Sequence, residues 1–462
     1  MRAAWTRGML SKQIACLTDV CRKISKSSAG ITKMSSHLFV GPLIHTKSNG
    51  ELLVVHRAGI LVQNGKIISV TENPKPNEVT ADFVTLLSAG QFLIPGFIDC
   101  HIHAPQLPNI GTGYDKGLLD WLEMYTFPLE RKYSDEKFAE RIFDAVVKRT
   151  LTVGTTTACY FASLYAKASL ILGQKAACYG QRAFIGKLNM NRPRDDGYYE
   201  STENSVTNTK LFIEEVNSIG SPLIKPIITP RFALSCDLEL LKELGKLANE
   251  LDIHVQTHVS ENLDEIEAVK ELFPGIETYT EVYEAAGLLT NKTVLAHGVH
   301  LKDNELDIIK SKKSAVIHCP SSNTCLRSGL CDVRRLMNHG IKIGLGTDVA
   351  GGTSVCILDA MRSALQVSNS LSILNPSYEP LKYTDVFHFA TLGGASSLMI
   401  EDQVGNFEVG KEFDALVIDM NIPTGPLDGL IDFTLEDKLQ RLIYSGDDRN
   451  IVEVYVKGCR VK

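Results

Sequence analysis

The sequence lacks the features that define several large protein classes. No apolar run approaches the roughly 18 residues that a membrane-spanning helix requires. The 11 cysteines are scattered with no Cys-x-x-Cys pair, which argues against a disulfide framework and favours a reducing compartment. A net charge of −6 offers no excess of positive charge for a nucleic-acid polymer. We therefore expect a cytoplasmic protein that binds neither membrane nor nucleic-acid polymer.

The amino-terminal 34 residues differ from the rest of the chain. Their basic side chains, against the single acid Asp19, are Arg2, Arg7, Lys12, Arg22, Lys23, Lys26 and Lys33. This balance is typical of a mitochondrial targeting segment, and equally of a disordered extension ahead of an alternative start at Met34. Either interpretation places residues 1–35 outside the fold.

The two ends of the remaining chain have the composition of short strands. Apolar, β-branched runs flank the turn Asn64-Gly65 near the amino end, and similar runs occur at 414–419 and 451–456. Asn-Gly between such runs predicts a β-hairpin. We therefore predict one discontinuous β-sandwich domain, formed by residues 36–94 and 405–462.

Residues 95–404 alternate short apolar runs with amphipathic helical patterns. The predicted strands are 92–98, 155–161, 183–188, 224–228, 253–257, 293–296, 315–317 and 342–346. This alternation predicts parallel βαβ units, and eight strands in this length suit a closed (β/α)8 barrel. An open doubly wound sheet is the alternative, but no Gly-x-Gly-x-x-Gly follows the first strand.

Polar side chains follow the ends of nearly all these predicted strands. They are His101, His103, Arg231, His258, His297, His318 and Asp348. The carboxyl ends of barrel strands form one rim, so these side chains should converge although they are far apart in the chain.

The pair His101 and His103 is the sharpest signal, because alternate residues of a strand point to the same face. With His258 and Asp348 it gives three nitrogens and one oxygen, a donor set that suits zinc in a catalytic site, with iron(II) as an alternative. Glu261 follows a ligand by three residues, which is typical of a proton shuttle or of a carboxylate in the first turn of a helix.

The sequence contains three further histidines at or near strand ends, His297, His318 and His254. Only His297 suggests a catalytic role. His297 would stabilise charge near the attacked carbon. We expect His318 to lie behind the metal ligands. We expect His254, on the strand of His258, to pack in the core or to lie behind the ligands rather than to bind the metal.

Several motifs resemble the amidohydrolase superfamily in its mononuclear deaminase branch. They are Pro95-Gly-Phe-Ile-Asp-Cys-His-Ile-His103, His258-Val-Ser-Glu261, Ala296-His-Gly298 and Gly346-Thr-Asp348. Four more segments are similar to the guanine deaminase family of that branch. They are His103-Ala-Pro-Gln106, Trp121-Leu-Glu-Met-Tyr-Thr-Phe-Pro-Leu-Glu130, Thr229-Pro-Arg-Phe232 and His318-Cys-Pro-Ser-Ser-Asn323. The similarity covers residues 38–462.

The resemblance implies a zinc-dependent hydrolase that converts guanine and water to xanthine and ammonia in purine catabolism, with one zinc per chain and a homodimeric assembly. The implied metal ligands are His101, His103, His258 and Asp348, and the implied catalytic residues are Glu261, Asp348 and His297. The implied substrate-binding residues are His103, Ala104, Pro105, Gln106, Arg231, Phe232, His258, Glu261 and Asp348. Donors on Arg231 and Gln106 match the O6 and N7 acceptors of guanine, and Phe232 offers a flat apolar face.

Two alternatives remain open at this point. A binuclear amide-ring hydrolase, of the dihydroorotase or hydantoinase kind, would need a carboxylated lysine, for which Lys187 is the candidate. The pairing of His258 with Glu261 argues against it. A catalytically inactive scaffold would have lost metal ligands, whereas all four predicted ligands are present.

Overall fold

A computed structural model describes residues 36–75 and 80–462 of the chain. The predicted basic extension, residues 1–35, lies outside the described residues, as do residues 76–79. Within the described part, no helix combines the length and apolarity needed to cross a bilayer. The cysteines described there are all free thiols.

The strands of the described residues form two sheets. They are β1 (Ser36–Thr46), β2 (Leu52–Gln63), β3 (Lys66–Glu72), β4 (Phe83–Leu86), β5 (Gln91–Pro95), β6 (Phe97–His103), β7 (Thr155–Phe161), β8 (Arg182–Gly186), β9 (Leu188–Asn189), β10 (Ile224–Pro230), β11 (His254–Val259), β12 (Thr293–His297), β13 (Ala315–His318), β14 (Lys342–Leu345), β15 (Ala415–Asp419), β16 (Ile451–Val456) and β17 (Cys459–Arg460).

The larger sheet is a parallel barrel in which neighbours follow the order β6-β7-β8-β10-β11-β12-β13-β14, with β9 beside β10. The chain beyond β14 closes it against β6. The amide of Asp348 donates to the carbonyl of His101 at 2.9 Å, and that of His103 donates to the carbonyl of Val349 at 3.2 Å. The predicted (β/α)8 barrel is confirmed, and its seam lies where two predicted metal-binding segments meet.

Helices connect and cover the barrel strands. They are α1 (Leu118–Trp121), α2 (Phe127–Glu130), α3 (Glu136–Thr152), α4 (Ala166–Tyr179), α5 (Thr202–Ser218), α6 (Leu238–Leu251), α7 (Leu263–Leu272), α8 (Tyr279–Ala285), α9 (Asp303–Lys312), α10 (Pro320–Cys325), α11 (Val333–Asn338), α12 (Ile357–Leu374), α13 (Tyr383–Phe389), α14 (Leu392–Ser397) and α15 (Leu435–Ser445). A π-helical turn, Leu122–Thr126, joins α1 to α2, and 3-10 turns span Ala104–Asn109, Arg131–Ser134 and Asp448–Asn450.

The predicted first barrel strand, 92–98, is wrong in its bounds. Its first half belongs to β5, which pairs with β1 and β15 in the other sheet, and only its second half enters the barrel strand β6. The chain passes from the smaller sheet to the barrel at Pro95 and Gly96. A Cβ on Gly96 would lie 2.1 Å from Oγ1 of Thr156, so only glycine permits this close approach.

The smaller sheet draws strands from both ends of the chain, in the order β17-β16-β15-β5-β1-β2-β3, with β4 also paired to β1. It curls around an apolar core that includes Phe39, Ile60, Phe413 and Tyr455. The expected small β-domain built from both termini is therefore present.

A buried ion pair joins the smaller sheet to the barrel. Arg182, the first residue of β8, contacts Glu412 at 2.7 Å and Asp414 at 3.1 Å. Because Arg182 lies at the amino end of its strand, this contact is at the end of the barrel opposite the carboxyl rim. The rim is thereby left to the loops that follow the strands.

Candidate active site

Three strands bring the predicted metal ligands to the rim. His101 and His103 end β6, His258 lies near the end of β11, and Asp348 follows β14 in the left-handed region at φ 46°. All four side chains are buried, and one ligating atom of each lies within 4.8 Å of the others. Four residues spread from position 101 to position 348 of the sequence therefore form one cluster.

The ligating atoms face a common point. Nε2 of His103 lies 3.1 Å from Nε2 of His258, and Oδ1 of Asp348 lies 3.1 Å from Nε2 of His101 and 3.3 Å from Nε2 of His103. Three imidazole nitrogens and one carboxylate oxygen in this arrangement form a candidate metal site.

The protonation of the histidines fits a metal site. Burial lowers the pKa of His101 to about 4, and burial with the neighbouring imidazoles lowers the pKa of His258 well below its usual value. Neutral imidazoles are the form that binds metal. Nδ1 of His258 lies 2.6 Å from the carbonyl oxygen of Arg231, so Nδ1–H donates there and Nε2 keeps its lone pair for the ion.

Asp99 is a buried carboxyl beneath this cluster that the sequence analysis did not assign. It accepts from the hydroxyl of Thr347 at 2.5 Å, from the amide of Thr347 at 3.1 Å and from the amide of His101 at 3.2 Å. Burial raises its pKa to about 7. Asp99 thereby joins the two segments that carry His101 and Asp348.

Glu261 lies beside the predicted ligands and pairs with a different histidine. Its Oε2 is 3.4 Å from Nε2 of His297, and the hydroxyl of Ser328 donates to its Oε1 at 2.9 Å. Burial raises the pKa of Glu261 to about 7. Burial alone would lower the pKa of His297, but the carboxylates of Glu261 and Asp348 outweigh it and raise that pKa.

Two contacts fix the orientation of this pair. Nδ1 of His297 lies 2.8 Å from Oδ1 of Asn323, so Nδ1–H donates to the amide and Nε2 faces Glu261. The amide of Glu261 donates at 3.0 Å to Glu265, whose side chain also completes the capping box of α7. Glu261 thus precedes the helix, and its carboxylate is directed to His297 rather than to a helix-start amide.

A cleft of about 380 Å³, partly open to solvent, adjoins the cluster. Its lining residues are His103, Gln106, Leu118, Trp121, Leu122, Arg231, Phe232, His258, Glu261, His297, Leu326, Asp348 and Gly351. Ala104 and Pro105, both described by the structure, are buried in the adjacent 3-10 turn and do not line this cleft. The other predicted substrate-binding residues all border the cleft.

Glycine is required at one point of the cleft wall. A Cβ on Gly351 would lie 2.4 Å from Oγ of Ser322 and 2.8 Å from Oδ2 of Asp348. Any larger residue would push against the carboxylate that belongs to the metal cluster.

Glu130 is a second buried acid that the sequence analysis did not assign. Nη1 of Arg231 donates to its Oε2 at 2.6 Å, the hydroxyl of Tyr198 donates to the same oxygen at 3.0 Å, and Nε2 of Gln106 donates to Oε1 at 2.9 Å. Burial would raise the pKa of Glu130, but Arg231 and Gln106 hold it below its usual value. The only sequence signal for Glu130 was its place at the end of the motif Trp121-Leu-Glu-Met-Tyr-Thr-Phe-Pro-Leu-Glu130.

Three residues with weaker sequence signals are not part of the four-residue metal cluster. Burial lowers the pKa of His318 to about 3, so its ring is neutral. His254 contacts the carbonyl of Leu398 at 2.9 Å. Lys187 is buried, donates to the carbonyl of Leu188 at 3.0 Å and pairs with Glu200, which argues against its use as a carboxylated bridge between two metals.

Comparisons with known proteins agree with this geometry. The model of the amidohydrolase family matches residues 92–461. Guanine deaminase from Dictyostelium discoideum is 43% identical over 440 residues, covering 92% of this chain and 98% of that protein. Guanine deaminase from Homo sapiens is 43% identical over 439 residues, covering 92% and 96% respectively.

A solved structure shares the whole architecture. The crystal structure of guanine deaminase from C. acetobutylicum with bound guanine in the active site is 36% identical and superimposes with a TM-score of 0.87. The match covers 92% of this chain and 100% of that one.

Proposed function

The chain belongs to the amidohydrolase family, and we propose that it hydrolyses guanine to xanthine and ammonia, a step of purine catabolism. The observation that carries this proposal is the position of Arg231 and Gln106 in the wall of a cleft that also exposes the His and Asp cluster. Those donors suit the O6 and N7 acceptors of guanine. Relatives named guanine deaminase at 43% identity support it.

The proposed cofactor is one zinc ion per chain, held by His101, His103, His258 and Asp348. The donor set supports zinc, since it combines neutral imidazoles with one carboxylate. When bound, zinc makes a water molecule acidic enough to supply a nucleophile near neutral pH.

The side chains around the cleft then divide the proton transfers. Asp348 accepts the proton that the attacking water loses as its oxygen bonds to C2 of guanine. Glu261 donates a proton to the adjacent ring nitrogen, which keeps full negative charge off the base. His297 stabilises charge at C2, and Asp348 passes the proton that it accepted to the amino group. The C2–N bond breaks and ammonia leaves, while the hydroxyl oxygen on C2 returns its proton to Glu261 and becomes the new carbonyl of xanthine.

Substrate tests distinguish this function from others. Purified protein supplied with guanine should release ammonia and form xanthine, whereas adenine and cytosine should release none and dihydroorotate should not be ring-opened. Ring opening of dihydroorotate without guanine turnover would overturn the proposal in favour of an amide-ring hydrolase.

Replacing Arg231 tests base recognition. Arg231→Ala should lower kcat/KM for guanine by about 2–4 kcal/mol in transition-state terms, since a charged donor is lost from a buried site. The variant also leaves Glu130 buried without its cation, so its thermal unfolding temperature should fall. Bound zinc, measured by elemental analysis, should stay near the wild-type amount. An unchanged kcat/KM would remove Arg231 from the substrate site.

The division of the chain is also part of the proposal: residues 36–94 and 405–462 form the β-domain, and residues 95–404 form the catalytic barrel. The sheet shared by β1, β5 and β15 supports it. The family resemblance supports a homodimer, which sedimentation would test. We infer a cytoplasmic location for the folded enzyme, and the basic composition of residues 1–34 supports mitochondrial targeting of the long form.

The role of the amino-terminal extension can be tested directly. A version of the chain that begins at Met34 should equal the full chain in guanine turnover and unfolding temperature, because it retains the whole described fold, whose first strand begins at Ser36. Residues 1–33 fused to a fluorescent reporter separate the two interpretations: import into mitochondria supports a targeting segment, and a diffuse cytosolic signal supports a simple extension. Loss of folding after truncation would contradict this prediction.

A further inference from the structure

We propose that Glu130 is a positioning residue that fixes Gln106 and Arg231 as hydrogen-bond donors, so that the cleft selects purines with an oxygen at C6 over purines with an amino group there. This inference rests on the proposed function. Glu130 is buried and, among the described residues, does not line the cleft, so it acts through the two residues that do.

The amide of Gln106 is held at both ends. Its Nε2 donates to Oε1 of Glu130 at 2.9 Å, and its Oε1 accepts from the amide of Ala350 at 3.2 Å. A flipped amide would place its oxygen against a carboxylate oxygen and its N–H against an N–H. Glu130 therefore gives Gln106 a single orientation, in which its second Nε2–H remains for a ligand.

The guanidinium of Arg231 is held by the same carboxylate. Its Nη1 donates to Oε2 of Glu130 at 2.6 Å, and its Cζ lies 4.8 Å above the centroid of Phe127. A buried cation needs a paired anion to offset its desolvation, and stacking on an aromatic ring fixes the plane of the group. The N–H groups that Glu130 leaves free are then available to a base in the cleft.

These contacts set the polarity of the cleft wall. An oxygen at C6 and N7 both accept hydrogen bonds, whereas an amino group at C6 donates and would meet another donor. Sites that hydrogen-bond a defined group reject analogues that leave their buried polar groups unpaired. If Gln106 could flip, it would present its oxygen and accept from a 6-amino group, and the selection would weaken.

The experiment compares Glu130→Gln with a matched control. The readouts are kcat and KM for guanine, and the inhibition constants of hypoxanthine and adenine, which differ at C6 and lack the 2-amino group. The control is Glu123→Gln, since Glu123 lies in the same segment but is exposed and pairs with Arg194 at 2.6 Å. Zinc content and unfolding temperature are measured for each variant.

In the wild type, hypoxanthine should bind more tightly than adenine. In Glu130→Gln this preference should fall by at least about 10-fold, the scale of one hydrogen bond to a charged group, and KM for guanine should rise more than kcat falls. Glu123→Gln should match the wild type. In a Gln106→Ala background, Glu130→Gln should reduce the preference less than it does alone, because the two residues act as a unit.

Other outcomes separate the possible failures. An unchanged preference for hypoxanthine in folded Glu130→Gln would overturn the inference and leave the proposed function intact. If wild-type protein did not turn over guanine, the proposed function itself would be wrong. Should Glu130→Gln not fold, Tyr198→Phe loosens the same carboxylate, and the preference should fall by about 2- to 5-fold; no change there would equally overturn the inference.

Discussion

Glu261→Gln is expected to lower kcat for guanine by at least about 100-fold. Glutamine keeps the size of the side chain and its contact with Ser328 but cannot transfer the proton. Since Glu261 pairs with His297 at 3.4 Å and lies outside the cluster of predicted metal ligands, zinc content should remain at the wild-type level. Binding of guanine should stay within a few-fold, as measured at equilibrium.

The matched control for this variant is Glu267→Gln, which changes an exposed acid on α7 and should leave kcat unaltered. Loss of zinc from Glu261→Gln would show that Glu261 is a ligand. Normal kcat would show that Glu261 does not transfer the proton, and Asp348 or His297 would then have to carry both protons.

His258→Ala is expected to lose most of the bound zinc and nearly all turnover of guanine. Its imidazole nitrogen lies 3.1 Å from that of His103, so the variant removes one of four donors from the site. Substitution of a residue that only hydrogen-bonds to a metal ligand typically weakens metal binding by about 10- to 100-fold. Removal of a ligand itself should weaken zinc binding by more than this. Elemental analysis should give about one zinc per chain for the wild type and a small fraction of that for the variant.

An exposed histidine, His56, provides the control, because His56→Ala should retain full zinc and activity. Two tightly bound metals per wild-type chain, with a modified Lys187, would contradict the mononuclear site. So would retention of zinc by His258→Ala.

The barrel, and the convergence of four metal-competent side chains at its rim, could be predicted from sequence for a simple physical reason. Parallel strands end on the same rim, so a polar residue at each strand end becomes a neighbour of the others without any knowledge of packing. The spacing of His101 and His103 predicted that both side chains point to the same face of their strand. The ends of β11 and β14 predicted that His258 and Asp348 lie beside them.

The supporting residues could not be predicted in this way. Glu130 is 101 residues from Arg231 in the chain, and only the fold of the π-helical turn and α2 brings them together. Asn323 carries no charge, and its role depends on the orientation of the His297 ring. The bounds of the first barrel strand were wrong because 92–98 is apolar throughout, and an apolar run does not reveal which sheet each half joins.

The seam where β6 meets the segment after β14 should affect the thermal stability of the protein. The amide of Asp348 donates to the carbonyl of His101 at 2.9 Å, so the proposed zinc, bound by both side chains, would hold the first barrel strand against the segment that follows the last. A ligand that binds only the folded state adds RT ln(1 + [L]/Kd) to stability. The thermal unfolding temperature should therefore rise with the concentration of free zinc. A chelator should lower it and weaken the barrel where β6 meets the segment after β14.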